Sequence, residues 1–98
     1  MAKKFEGKKL LLERTFSCSN EKEIGSIKIR KDKHSELIIK IENEKGYLDV
    51  LISDLSKEYV RAIYHAKSGV YRYKLTVGKE YDLTFTCFLF KGTVEVYL

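Results

Sequence analysis

The 98-residue chain contains no proline. Proline is one of the devices that stop an exposed strand edge from pairing with a neighbour. A protein of strands without it must guard its edges with charge, and Lys28, Arg30, Lys40, Arg72 and Lys74 stand at suitable positions. Cysteine is scarce too. Cys18 and Cys87 lie far apart inside apolar runs, which excludes a zinc knuckle or a Cys-x-x-Cys redox motif. The sequence favours two buried thiols acting as small hydrophobes over a disulfide. Long hydrophobic runs are absent: Leu83 to Phe90 falls far short of the ~20 apolar residues that cross a bilayer as a helix. The basic start resembles a secretory n-region, but only Leu10 to Leu12 follows before Glu13 and Arg14 interrupt it, so it does not read as a signal peptide. The expectation is a cytoplasmic location as written, and an extracytoplasmic one if the N-terminus has been trimmed.

Catalytic motifs are missing as well. There is no phosphate loop, no Gly-x-Gly-x-x-Gly and no His-Glu-x-x-His. His34 sits in a charged turn and His65 in a segment of mixed character. A nucleophile needs a base within hydrogen-bond reach. Cys18 or Cys87 beside His65 would be the one such pairing, but both cysteines share the parity of core residues, where a thiol is inert. Glu42, Glu44, Asp49 and Asp54 bracket one turn, which is too short to wrap a calcium ion and carries Lys45 in its middle. The reading is therefore not an enzyme, with no cofactor and no metal.

What is present is alternation. The chain is 44% hydrophobic and 34% charged, the composition of a globular domain rather than a disordered one, and its length suits one core. Apolar residues recur every second position, which turns one side of a segment to a core and the other to water. Tyr71, Tyr73, Leu75 and Val77 make one such set; Tyr81, Leu83, Phe85, Cys87 and Leu89 a second; Val94, Val96 and Leu98 a third. Upstream, Leu10, Leu12, Phe16 and Cys18, then Ile27 and Ile29, then Leu37, Ile39 and Ile41 do likewise. Leu48, Val50 and Ile52 follow, with Asp49 facing water. Glu44-Lys45-Gly46, Gly78-Lys79-Glu80 and Lys91-Gly92 read as tight turns, so the last third reads as a meander of antiparallel neighbours. Asp54 to Gly69 fits a helix by spacing, but its β-branched and aromatic residues favour a strand.

The predicted fold is all-β: an antiparallel two-sheet β-sandwich of seven to eight strands, with a closed barrel, or a sandwich with one short helix at 55–67, as alternatives. Residues 1–98 form a single domain, with 1–8 a flexible basic N-terminus.

The runs Gly46 to Asp54, Tyr71 to Phe85 and Phe90 to Val96 carry a strand ending in an aspartate turn, a glycine-bearing turn into a Tyr-x-Leu strand, and a Lys-Gly hairpin into the last strand. In this cadence the chain resembles small bacterial β-sandwich modules related to the pre-peptidase C-terminal domains. The resemblance covers about half of the chain and implies a non-catalytic accessory or binding module, usually outside the cytoplasm. It carries over no functional residue.

One strand breaks the pattern. Phe88 and Phe90 take the outward parity of a strand whose inward face is already apolar. Either a bulge or burial on both faces hides them, or they form an exposed aromatic patch with Tyr97. The preferred function is a binding module that recognises a protein partner through a sheet face or edge, with Phe88, Phe90 and Tyr97 as anchors and Lys28 and Arg30 among the orienting charges. The alternatives are a carbohydrate-binding module, a small cytoplasmic inhibitor encoded by a mobile element, and a nucleic-acid-binding domain. The last is disfavoured, because the net charge of +5 is spread along the chain and is first a statement about solubility.

Overall fold

The computed structural model describes residues 8–17, 22–30, 35–54, 59–76 and 79–98, and describes 22–30, 35, 59 and 60 by their backbone alone. Among the described residues there are six strands: β1 (Leu10–Ser17), β2 (Lys22–Arg30), β3 (Ser35–Asp54), β4 (Tyr59–Ile63), β5 (Gly69–Leu75) and β6 (Glu80–Tyr97). All pairings are antiparallel and all belong to one sheet, which is not closed into a barrel. The all-β, antiparallel expectation holds. The division into two separate sheets is not seen, because β3 and β6 run unbroken through what would be both.

The length of these two strands accounts for the shape. A straight strand of 20 residues, the length of β3, would span about 66 Å, and the longest dimension of the molecule is 40 Å. β3 must bend, and β6 bends beside it. The register between them shifts between Asn43 and Lys45 and again between Lys45 and Tyr47. Gly46 has φ +83° and Leu89, a non-glycine residue, φ +50°. A Cβ on Gly46 would lie 2.0 Å from the Leu89 carbonyl oxygen, and one on Gly92 would lie 2.1 Å from that of Glu42. The two backbones therefore nest where side chains cannot fit. The expected turns at Glu44-Lys45-Gly46 and Lys91-Gly92 are corrected on this point: both are bends inside continuous strands, and the meander goes with them. The β5–β6 connection is not a hairpin either, since β5 pairs with the first half of β3 and β6 begins beside its second.

The bend divides the sheet into two lobes. In the first, β1 and β5 flank the 91–97 half of β6 and the 35–41 half of β3. In the second, β2 and β4 flank the 80–87 half of β6 and the 50–54 end of β3. Their inner faces share a single core that includes Leu37, Ile39 and Ile41 from the first lobe and Leu48, Val50 and Phe85 from the second. Tyr73 of β5 meets Tyr81 of β6 edge-on at 6.4 Å, and the Thr76 backbone N–H donates to the Tyr81 hydroxyl at 3.0 Å. Each fully buried Leu, Ile or Phe contributes roughly 1.5–3 kcal/mol, and this shared core holds the fold closed. The Asp54–Gly69 segment carries a strand at 59–63 as expected, followed by a loop; residues 55–58 lie outside the described residues.

Cysteine requires a correction. Cys87 is buried and disulfide-bonded, and no cysteine among the described residues is free. The sequence has one other, Cys18, which lies outside the described residues. Reading the two as apolar thiols missed that burial in a core also positions a sulfur for pairing. Strand neighbourhood, which sequence does not supply, decides between the two fates.

Candidate functional site

The bend reassigns the aromatic residues singled out above. With Leu89 in the left-handed region, inward parity passes from Cys87 to Phe90, which is completely buried against Phe16. Phe88 and Leu89 are left outside, 43% and 48% exposed. Tyr97 lies nine residues along β6 from Phe88, buried on the outer face of the first lobe, where its hydroxyl donates to the Glu95 carboxylate at 2.5 Å. That bond, with burial behind it, pushes the phenol up to about 12. Lys40 bridges Glu95 at 3.7 Å and Glu42 at 3.4 Å, and because β3 is paired there with β5 on one side and β6 on the other, Lys40 guards no edge. Lys28 and Arg30 sit on β2 opposite Asp82 and Glu80, about 20 Å and about 26 Å along the strand from Phe88. Of the five expected contact residues, the structure keeps Phe88 alone at an exposed aromatic cluster.

Phe88 has other company. On the outer face of the second lobe it is the register partner of Tyr47, and the two rings lie 17° from parallel with centroids 6.4 Å apart. His65 adds a third ring, 4.6 Å from Tyr47 and tilted by 43°. Asp49 and Thr86, directly opposite one another across β3 and β6, continue the same face. Together with Cys87 these residues line an open groove of about 430 Å³, within the range of small-ligand sites.

His65 is held there by its loop. Its backbone N–H donates to Asp49 Oδ1 at 2.8 Å and that of Ala66 to the Leu48 carbonyl at 2.7 Å. Asn43 Nδ2 donates to the Ala66 carbonyl at 3.1 Å, and the Asn43 N–H donates to Ser68 Oγ at 2.8 Å. Ala66 plugs into the core. His65 takes φ +51° to complete the clip, a conformation that costs a non-glycine residue on the order of 1 kcal/mol.

Sequence reasoning missed Tyr47, Asp49 and Thr86 as a group, although the signal was there: Tyr47 shares the water-facing parity of Asp49. From the sequence His65 offers itself only as a base for cysteine. It does line the same groove as Cys87, but the disulfide occupies the sulfur, and Asp49 receives the main chain of His65 rather than its ring. Chemically, the described lining offers aromatic surface, one carboxylate, the hydroxyls of Tyr47 and Thr86 and the His65 imidazole.

No protein-family model matches the chain, and no curated protein matches it either. The Lys91-Gly92 hairpin that contributed to the resemblance noted above is a bend inside β6.

Proposed function

We propose that this chain is a non-catalytic binding module and that the Tyr47–His65–Phe88 groove is its recognition surface. One observation carries the reading: two rings, each about half exposed, sit side by side on the two central strands, backed by a third that a hydrogen-bonded loop holds in place. Aromatic surface left in water on a rigid scaffold is the usual mark of an interaction site. The bonded sulfur and the main-chain role of Asp49 Oδ1 support binding over nucleophilic chemistry. The disulfide supports work in an oxidising compartment.

Exposed Leu89 and Tyr64, sequence neighbours of Phe88 and His65, favour a second reading in which a protein surface docks on the same face. Burial of Phe90 and Tyr97 removes two of the three aromatic anchors of that reading.

The test is a set of alanine variants assayed for both stability and binding. Tyr47→Ala and Phe88→Ala should unfold within about 1 kcal/mol of wild type and lose capture of ligands selected from a glycan array or a displayed peptide library. Phe90→Ala should cost roughly 3–5 kcal/mol, as a core truncation does. Unaltered capture by the first two variants would refute the groove. So would a Phe88→Ala loss as large as that of Phe90→Ala.

A further inference from the structure

From the lining of the groove we infer the class of ligand it takes: a neutral, polyhydroxylated six-membered ring, one hexose unit of a glycan chain. This rests on the groove being the recognition surface, and it follows by setting the lining against each kind of ligand.

An anion is disfavoured, because among the described residues no lysine or arginine lines the groove while Asp49 does, and anions are held by cationic donors. A free organic cation is opposed from outside. Lys45 and Lys91 face each other across the strands just before the Tyr47–Phe88 pair, exposed Lys67 follows His65 by two residues, and the whole chain carries +5. A wholly apolar ligand would cover the second carboxylate oxygen of Asp49, whose Oδ1 already accepts from His65, and the Thr86 hydroxyl without giving either a partner, which is costly. A pyranose escapes all three objections. One face of such a ring is a set of C–H bonds whose hydrogens are weakly positive, and these settle on the negative faces of aromatic rings. Its rim is hydroxyls, which donate to a carboxylate in charge-assisted bonds and exchange hydrogen bonds with a threonine.

The geometry supplies both halves on one surface. Tyr47 and Phe88 offer the near-parallel rings, and Asp49 and Thr86 stand two residues further along the same faces of the same two strands. The groove is open rather than enclosed, so a ring in the middle of a chain enters as readily as one at its end.

The experiment is a printed glycan array probed with the intact, oxidised chain, followed by a nitrogen-15 NMR titration of the strongest neutral oligosaccharide. Shifts should concentrate at Tyr47, Asp49, His65, Thr86 and Phe88. Tyr47→Ala and Phe88→Ala should each weaken binding tenfold or more. Asp49→Asn keeps an oxygen for the His65 N–H but removes the charge and turns the other acceptor oxygen into a donor, and it should also weaken binding about tenfold. Thr86→Val should do so by a few-fold. If no glycan binds but a library peptide does, and Tyr47→Ala abolishes it, the sugar is overturned and the recognition surface stands. If neither binds, both fall. Binding confined to acidic glycans, lost with salt and indifferent to Tyr47→Ala, would also overturn the sugar by assigning retention to the lysine rim.

Discussion

The outer faces of the two lobes are built from the same two strands, a few residues either side of one bend, and they end differently. On the first lobe Tyr97, Glu95 and Ile38 are buried, and the phenol and carboxylate satisfy one another with Lys40 beside them. On the second, Tyr47 and Phe88 stand half in water, with the Asp49 carboxylate tied to the backbone N–H of His65 rather than to its ring. A polar group that has found its partner can be buried at little net cost, whereas an aromatic ring left exposed gains nothing for the fold. The first face is therefore spent on stability, and the second is left for something outside the chain.

The comparison breaks most severely at the bend. Gly46→Ala would place a methyl against the Leu89 carbonyl at a backbone angle that alanine avoids. It should lower stability by about 3 kcal/mol or more, measured by urea unfolding. A neutral substitution would mean that β3 and β6 do not nest there.

Removing the disulfide comes next. Cys87 lies at the junction, part of the core and of the groove lining. Reduction or Cys87→Ser should cost roughly 2–4 kcal/mol and weaken ligand capture as well. Unchanged stability under dithiothreitol would remove the argument for an oxidising compartment.

The smallest effect sharpens the closed face. Tyr97 titrates near 12 in the folded protein because of its bond to Glu95 and its burial, against an ordinary phenol value of 10. A group whose folded pKa is raised lends stability that is complete below the unfolded value. That contribution is lost as pH climbs from 10 to about 12. Tyr97→Phe should flatten this part of the alkaline stability profile, at a cost near neutral pH of about 1 kcal/mol, and should leave the groove unaffected. A profile unchanged by the substitution would show that the Tyr97–Glu95 bond is not made.

Much of the fold was legible because alternation has a period of two and survives without knowledge of neighbours. The inward sets Leu37–Ile39–Ile41, Leu48–Val50–Ile52 and Leu83–Phe85–Cys87 lie where parity puts them. Parity fails at Leu89, since one residue in the left-handed region exchanges inside for outside, and this moved Phe90 from the surface to the core. The glycine signals were read as turns because a glycine with positive φ serves a hairpin and a bulge equally well. Only the strand lying opposite distinguishes them, as the Leu89 carbonyl does for Gly46.

By itself the sequence determined that this is a β protein with one core, because side-chain hydrophobicity and its period are local properties of the chain. Tertiary structure alone decided that the core closes by bending two long strands, that Cys87 is bonded, and that Tyr47, His65 and Phe88 share one surface. The bend and the shared surface depend on residues from 18 to 59 positions apart in sequence meeting in space, from Tyr47 with His65 to Ile38 with Tyr97, and no pattern along the chain encodes which of them will meet.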